Sequence, residues 1–164
     1  MSAKQGVAQT FGMTDQAWKR HANPWSVWTR FAAIPAMETA VWSRAWLGWW
    51  CLIGVAAVIA WLWLNVHIFG PVEPVSWAAK GIYGEQLHVT GHAPRAHQRV
   101  LRWLIAAGLA GFGFIAWGLA ALSIWPLIFG TTLLVLAQLW RIDRYGLLFE
   151  QHQSDAASRT DRQD

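Results

Sequence analysis

Glu38 is the first residue to demand a chemical reading. It stands in PWSVWTRFAAIPAMETAVWS, residues 24–43, among apolar neighbours. A free carboxylate in a membrane helix costs ~2.5–3.5 kcal/mol on insertion scales, so it must be protonated, paired or near the surface. Arg30 and Arg44, near the ends of its own segment, and Gln138 on a later one are the partners on offer. The functional reading is a proton or cation site, with Glu38 and Gln138 lining a path through a small transporter or channel subunit. The plainer reading is a tolerated carboxyl at the edge of a short helix, because no second charge accompanies it inside the apolar stretches.

The histidines are His21, His67, His88, His92, His97 and His152. A bis-histidine haem in a bundle needs imidazoles aimed inward from facing helices. None of the six lies inside an apolar segment, although His21 and His67 flank such segments and leave an interfacial haem or metal as a redox alternative. His88, His92 and His97 are spaced H-x3-H-x4-H. On a helix the first two would share a face and could grip zinc. Gly91 and Pro94 oppose a continuous helix there. Arg30 with Trp25 and Trp28 suits cation–π stacking or a lipid phosphate, and Arg44 belongs with this headgroup or packing set. KGIYGE, residues 80–85, lacks the Gly–Lys–Ser/Thr arrangement of a phosphate loop. Ser43, Ser76 and Ser123 lack nucleophile-elbow surroundings. No catalytic residue and no cofactor is assigned, and whether the chain is an enzyme stays open.

The elements that must position these groups are apolar. Leu47 to Val66 holds no Asp, Glu, Lys, Arg or His, with Trp49 and Trp50 near one end and Trp61 and Trp63 near the other. At ~1.5 Å rise per residue a helix of this length crosses a bilayer core of roughly 30 Å. Indoles favour the headgroup level, where the ring is buried and the N–H is wet. The chain has 14 Trp in 164 residues, is 55% hydrophobic and is only 13% charged. Its single cysteine, Cys51, rules out an intrachain disulfide framework. A net charge of +4 is modest and points to basic membrane flanks rather than to nucleic acid. The first thirty residues lack the apolar run of a secretory signal, so the first hydrophobic segment is expected to direct insertion and remain in the chain.

Four spans are predicted, at about 24–43, 45–66, 102–123 and 126–142. Asn23-Pro24 is a helix start, with an acceptor side chain before a proline whose missing N–H costs nothing. Pro126 restarts a helix after the turn at Ser123 in the same way. Ala107 with Gly111 and Ala106 with Ala110 are small-residue pairs suited to a close helix contact. Residues 1–22 form a polar cytoplasmic segment, 23–149 a membrane domain with a cytoplasmic loop at 67–100, and 150–164 a disordered tail. The prolines and glycines of 67–100 disfavour a long helix, although WAAKGIYGEQL is apolar enough to lie against the membrane or cap the bundle.

Basic residues decide between topologies. With four spans, Arg44 alone lies on the hairpin-turn side. Lys4, Lys19, Arg20, Arg30, Lys80, Arg95, Arg99, Arg102, Arg141, Arg144, Arg159 and Arg162 lie on the other. That asymmetry puts both termini in the cytoplasm. With three spans, residues 24–43 lie in the interface and the split falls to five against eight. The expected fold is an all-α integral membrane four-helix bundle of two helical hairpins, with three spans as the alternative.

HANPWSVWTR, WSRAWLGWW and WAAKGIYGE make the chain resemble a small family of Trp-rich bacterial and archaeal integral membrane proteins, known only as a domain of unknown function. The similarity covers about Trp18 to Phe149. Family members tend to carry Asn-Pro-Arg after the second span, where this chain has Asn65-Val66-His67. The resemblance implies membrane residence and supplies no activity. The expected function is that of a non-enzymatic accessory or scaffold protein of the bacterial inner membrane. The bilayer is its partner, and it acts as a homo-oligomer or within a larger membrane complex. The transporter and redox readings are its alternatives.

Overall fold

A computed structural model describes residues 15–91 and 93–161. The described residues form helices and connecting turns. α1 (Asp15–His21) leads into α2 (Pro24–Trp42), and a short α3 (Arg44–Leu47) and a 3-10 turn (Gly48–Trp50) bring the chain round to α4 (Cys51–Ile68). Then follow α5 (Trp77–Val89), α6 (Arg95–Ala121) and α7 (Ile124–Thr160). Three helical stretches are long and apolar enough to cross a membrane: Pro24–Asn65, Arg95–Ala121 and Ile124–Thr160.

The first stretch folds back on itself. Ser26 near its start meets Asn65 near its end, and Ala40 faces Gly54 across the middle. α2 and α4 are therefore an antiparallel hairpin. Asn23 caps α2 as its sequence predicts, accepting from the Trp25 N–H at 3.0 Å with Pro24 in the first helical position. The turn is longer than the single break expected near residue 44. Gly48 has φ +55, a conformation that a Cβ would strain, so regular helix resumes only at Cys51.

α6 and α7 form the second antiparallel hairpin, through glycine. Gly108, Gly111, Ile115 and Gly118 are buried in one stripe of α6. A Cβ on Gly111 would stand 2.8 Å from the Gly130 carbonyl oxygen, and one on Gly130 would stand 2.6 Å from that of Gly111. Of the predicted small-residue pairs, Gly111 is in this seam, whereas Ala106 and Ala110 are exposed. α7 begins at Ile124, so Pro126 sits within its first turn, where its missing N–H still has no intrahelical role.

Between the hairpins the sequence predicts a loop, and α5 occupies its middle. The turn formers Gly70, Pro71 and Pro74 precede it and Gly91 and Pro94 follow it, so 77–89 is left free to coil. Ser76 caps it, accepting from the Ala79 N–H at 3.2 Å. Its glycines are contact points: a Cβ on Gly81 would strike Ile142 and one on Gly84 the Tyr145 carbonyl. α5 thus runs alongside the distal part of α7. Trp18, Ala22, Val27, Ala78, Ala79, Ile82 and Ile142 close this end as a buried cluster.

The predicted disordered tail also differs. α7 runs on to Thr160 without a break. No Gly or Pro lies between Glu150 and Thr160, and elongating a formed helix needs no new nucleus.

Candidate functional site

A cavity of about 410 Å³ opens where the two hairpins and α5 meet, at the end rich in arginine. Its polar wall is His21, Arg30, Glu85, Gln138, Arg141 and Tyr145; its apolar wall is Val27, Phe31, Ile34, Ile82, Leu134 and Ile142. Helical spacing builds both. Val27, Arg30, Phe31 and Ile34 follow i, i+3, i+4, i+7 on α2, and Leu134, Gln138, Arg141 and Tyr145 follow i, i+4, i+7, i+11 on α7, so each set is one face. Gly81 and Gly84 let α5 lie close enough to α7 to bring Glu85 into the same wall.

Arg30 is held firmly. Its Nε donates to the Ser26 carbonyl at 3.0 Å and its Nη2 to the His21 carbonyl at 3.0 Å. Its Nη1 faces the His21 ring, 2.5 Å from Nε2 and 3.0 Å from Nδ1. A guanidinium has only donors, so the imidazole must accept and stay neutral. Burial, reinforced by the Arg30 charge, pushes the His21 pKa down to about 3. Burial raises the Glu85 pKa above the ordinary carboxylate value, against the pull of Arg141 and Arg30. The ion pair among the described residues is Lys80–Glu150 at 2.6 Å; neither cavity arginine closes on Glu85. The Nε of Arg141 is buried with no hydrogen-bond partner.

The predicted site residues do not assemble as a group. Glu38 is 8% exposed, and the Thr131 hydroxyl lies 2.8 and 2.9 Å from its two carboxyl oxygens. Its partner is therefore Thr131 on α7, in place of Arg30, Arg44 or Gln138. Gln138 lies in the cavity wall, seven residues and ~10 Å along α7 from Thr131. Arg44 donates to the carbonyls of Leu119 at 2.7 Å and Ala120 at 3.2 Å, and so caps α6. Arg30 binds His21 rather than a tryptophan. Trp28 instead stacks on Trp77, centroids 6.2 Å apart, while Trp25 is exposed.

Of the metal candidates, the His88 and His97 rings lie 6.2 Å apart and both lean on Tyr145, while His92 lies outside the described residues. Among the described residues no three His, Cys, Asp or Glu side chains converge as a metal site would require. His67 sits on its own helix, with Nδ1 3.0 Å from the Trp63 carbonyl oxygen.

A family model described as a family of unknown function (DUF6653) matches residues 2–163. The chain belongs to that family. The match extends beyond the Trp18–Phe149 stretch of resemblance and takes in α1, all of α7 and therefore every wall of the cavity. No curated protein and no solved structure matches the chain.

Sequence reasoning missed Glu85, Arg141, Tyr145, Thr131, Ser26 and Asn65 as members of sites. The α7 face carried a readable signal, since its helical spacing puts Gln138, Arg141 and Tyr145 in line. Nothing comparable linked Glu85 to them, because that depends on how α5 docks.

Proposed function

We propose that this chain is a multi-pass protein of the bacterial inner membrane, with four spans arranged as two hairpins and both termini in the cytoplasm. It works there as a non-enzymatic accessory or scaffold protein. The observation that carries this reading is the distribution of charge along the hairpins. Among the described residues, Arg44 is the Lys or Arg at the turn end, and its charge is engaged by the α6 carbonyls. Lys19, Arg20, Arg30, Lys80, Arg95, Arg99, Arg102, Arg141 and Arg144 gather at the other end. Such asymmetry sets orientation during insertion. Exposed Trp46, Trp49, Trp50 and Trp125 ring the turn end, and exposed Trp25, Trp63, Trp103 and Trp140 ring the basic end, as two headgroup belts would require.

A scaffold role is supported by how the polar groups of the hairpins are used. Glu38 is tied to Thr131, and Ser26, Asn65 and Thr29 bond to one another. These contacts hold helices together. Transport would need Glu38 and Gln138 on one path, and they face different surroundings.

Alkaline phosphatase fused at Trp46 should be active and fused after Asp164 inactive; the reverse pattern overturns the topology. Purification in mild detergent should yield a homo-oligomer or a stoichiometric complex. A bare monomer would overturn the scaffold role.

A further inference from the structure

We propose that the cavity between α2, α5 and α7 binds an amphiphile with a phosphate head, the head lying between Arg30 and Arg141 and the first chain carbons against Phe31, Ile34 and Leu134. The proposal rests on the membrane placement above, which puts the cavity at the cytoplasmic headgroup level.

Size is the first argument. A volume of about 410 Å³ lies within the roughly 300–1,000 Å³ range of small-molecule sites. At ~30 Å³ per water it holds about a dozen heavy atoms, a head and a few carbons rather than a whole lipid.

The second argument is the order of residues with depth. α2 and α7 enter the hairpins from the same basic end in opposite chain directions. On α2, Ile34 lies one turn deeper than Arg30. On α7, Leu134 lies one turn deeper than Gln138 and two turns deeper than Arg141. Toward the basic end the polar groups share the wall with Val27 and Ile142, and deeper in the hairpins Ile34 and Leu134 leave it purely apolar. This gradient matches an amphiphile and suits a fully soluble phosphate poorly.

Charge is the third. Two guanidiniums face one carboxyl, and His21 adds no charge because it accepts from Arg30. The Arg141 Nε–H is buried and unbonded, which is costly until an acceptor arrives. Arg30 keeps donors in reserve: its three contacts leave two of five N–H groups free. A phosphate offers several oxygens and can bridge two guanidiniums from different helices, which a single carboxylate does less well. The groups facing Glu85 are His21 from α1, Arg30 from α2, and Arg141 and Tyr145 from α7. A protonated Glu85 would add a donor to the same head.

The test is native mass spectrometry of the full chain in mild detergent, titrated with three probes. Phosphatidylglycerol carries head and chains, diacylglycerol carries chains alone, and glycerol phosphate carries the head alone. One phosphatidylglycerol should bind per chain, about tenfold tighter than either part. Arg141→Gln should weaken it about tenfold. Arg99→Gln, which removes the same charge from an exposed site outside the cavity, should leave it unchanged. Ile34→Phe, which fills the apolar wall and leaves the charges alone, should also weaken it and keeps the test open if Arg141→Gln fails to fold. Equal binding by wild type and either cavity variant overturns the proposal. So does an equal loss in Arg99→Gln, which would mean bulk lipid contact, or glycerol phosphate binding as tightly as the lipid, which would mean a soluble ligand. Reporter fusions on the same proteins separate the two readings. Reversed topology with lipid bound sinks the placement alone, and correct topology without lipid sinks this inference alone.

Discussion

In the α2/α4 hairpin the helices are joined by polar side chains. Ser26 donates to the Asn65 side-chain oxygen at 2.5 Å, and the Asn65 amide donates to the Thr29 hydroxyl at 2.6 Å. Ser26 and Asn65 are fully buried. In the α6/α7 hairpin the backbones themselves meet, at Gly111 against Gly130 and Gly118 against Leu127. In the proposed bilayer placement water would drive neither contact, because lipid tails are as apolar as the side chains; what remains is hydrogen bonding or close van der Waals approach. Each hairpin relies on one of the two. The polar solution tolerates looser backbones and depends on a few atoms. The glycine solution spreads over a whole seam and tolerates no added carbon.

The contrast makes the second hairpin the more fragile to added bulk. Gly111→Leu should force α6 and α7 apart and cost about 3 kcal/mol, read as a loss of folded fraction in a detergent–denaturant titration. The same kind of change at Gly113, which is exposed and has nothing near its missing Cβ, should be nearly silent; a comparable loss there would mean that the seam is misplaced. The first hairpin should break by deletion of polarity. Asn65→Leu leaves the Ser26 hydroxyl without its acceptor and should cost about 1–2 kcal/mol in the same titration. Arg44→Ala removes the clamp from the α2/α3 corner to the end of α6. It should cost about 1 kcal/mol and raise hydrogen exchange at residues 118–122 while leaving the Asn65 network protected. Glu38→Gln should cost least, under about 0.6 kcal/mol, because the amide brings its own N–H to Thr131. A large loss there would show that Glu38 does more than join the hairpins.

Acid should also discriminate between them. His21 fastens α1 to the first hairpin, and its pKa is lowered from 6.5 to about 3. The released α1 would take up a proton near pH 6.5, whereas the docked one resists it. Docking is therefore at full strength above pH 6.5 and weakens as pH falls toward 3. NMR of the His21 ring should show a neutral imidazole at pH 5. A midpoint near 6.5 would mean that α1 is not docked as described.

Much of this architecture was readable in advance. The Asn23-Pro24 start, the apolar run ending near Val66 and the glycines of the third segment each act through local geometry, so residue order suffices to place them. Glu38 was readable as a buried carboxyl, since hydropathy alone flags it. Its partner was not, because Thr131 lies 93 residues away and a lone Thr in an apolar helix gives no signal. The sense of Arg44 was hidden for the same reason: its acceptors are backbone carbonyls, present in every helix. α5 was obscured by composition. Its glycines read as breakers, while in the folded chain they are the points where it touches α7.

What the sequence determined alone is where α2 starts, which stretches are apolar enough to cross a membrane, and how the arginines are distributed around them. Those properties are sums over neighbouring residues. Only the tertiary structure decided that Arg30, Glu85 and Arg141 face one cavity while Glu38 stands apart from it. That outcome depends on the rotation and depth at which α2, α5 and α7 pack, and these follow from contacts as small as one missing Cβ at Gly84.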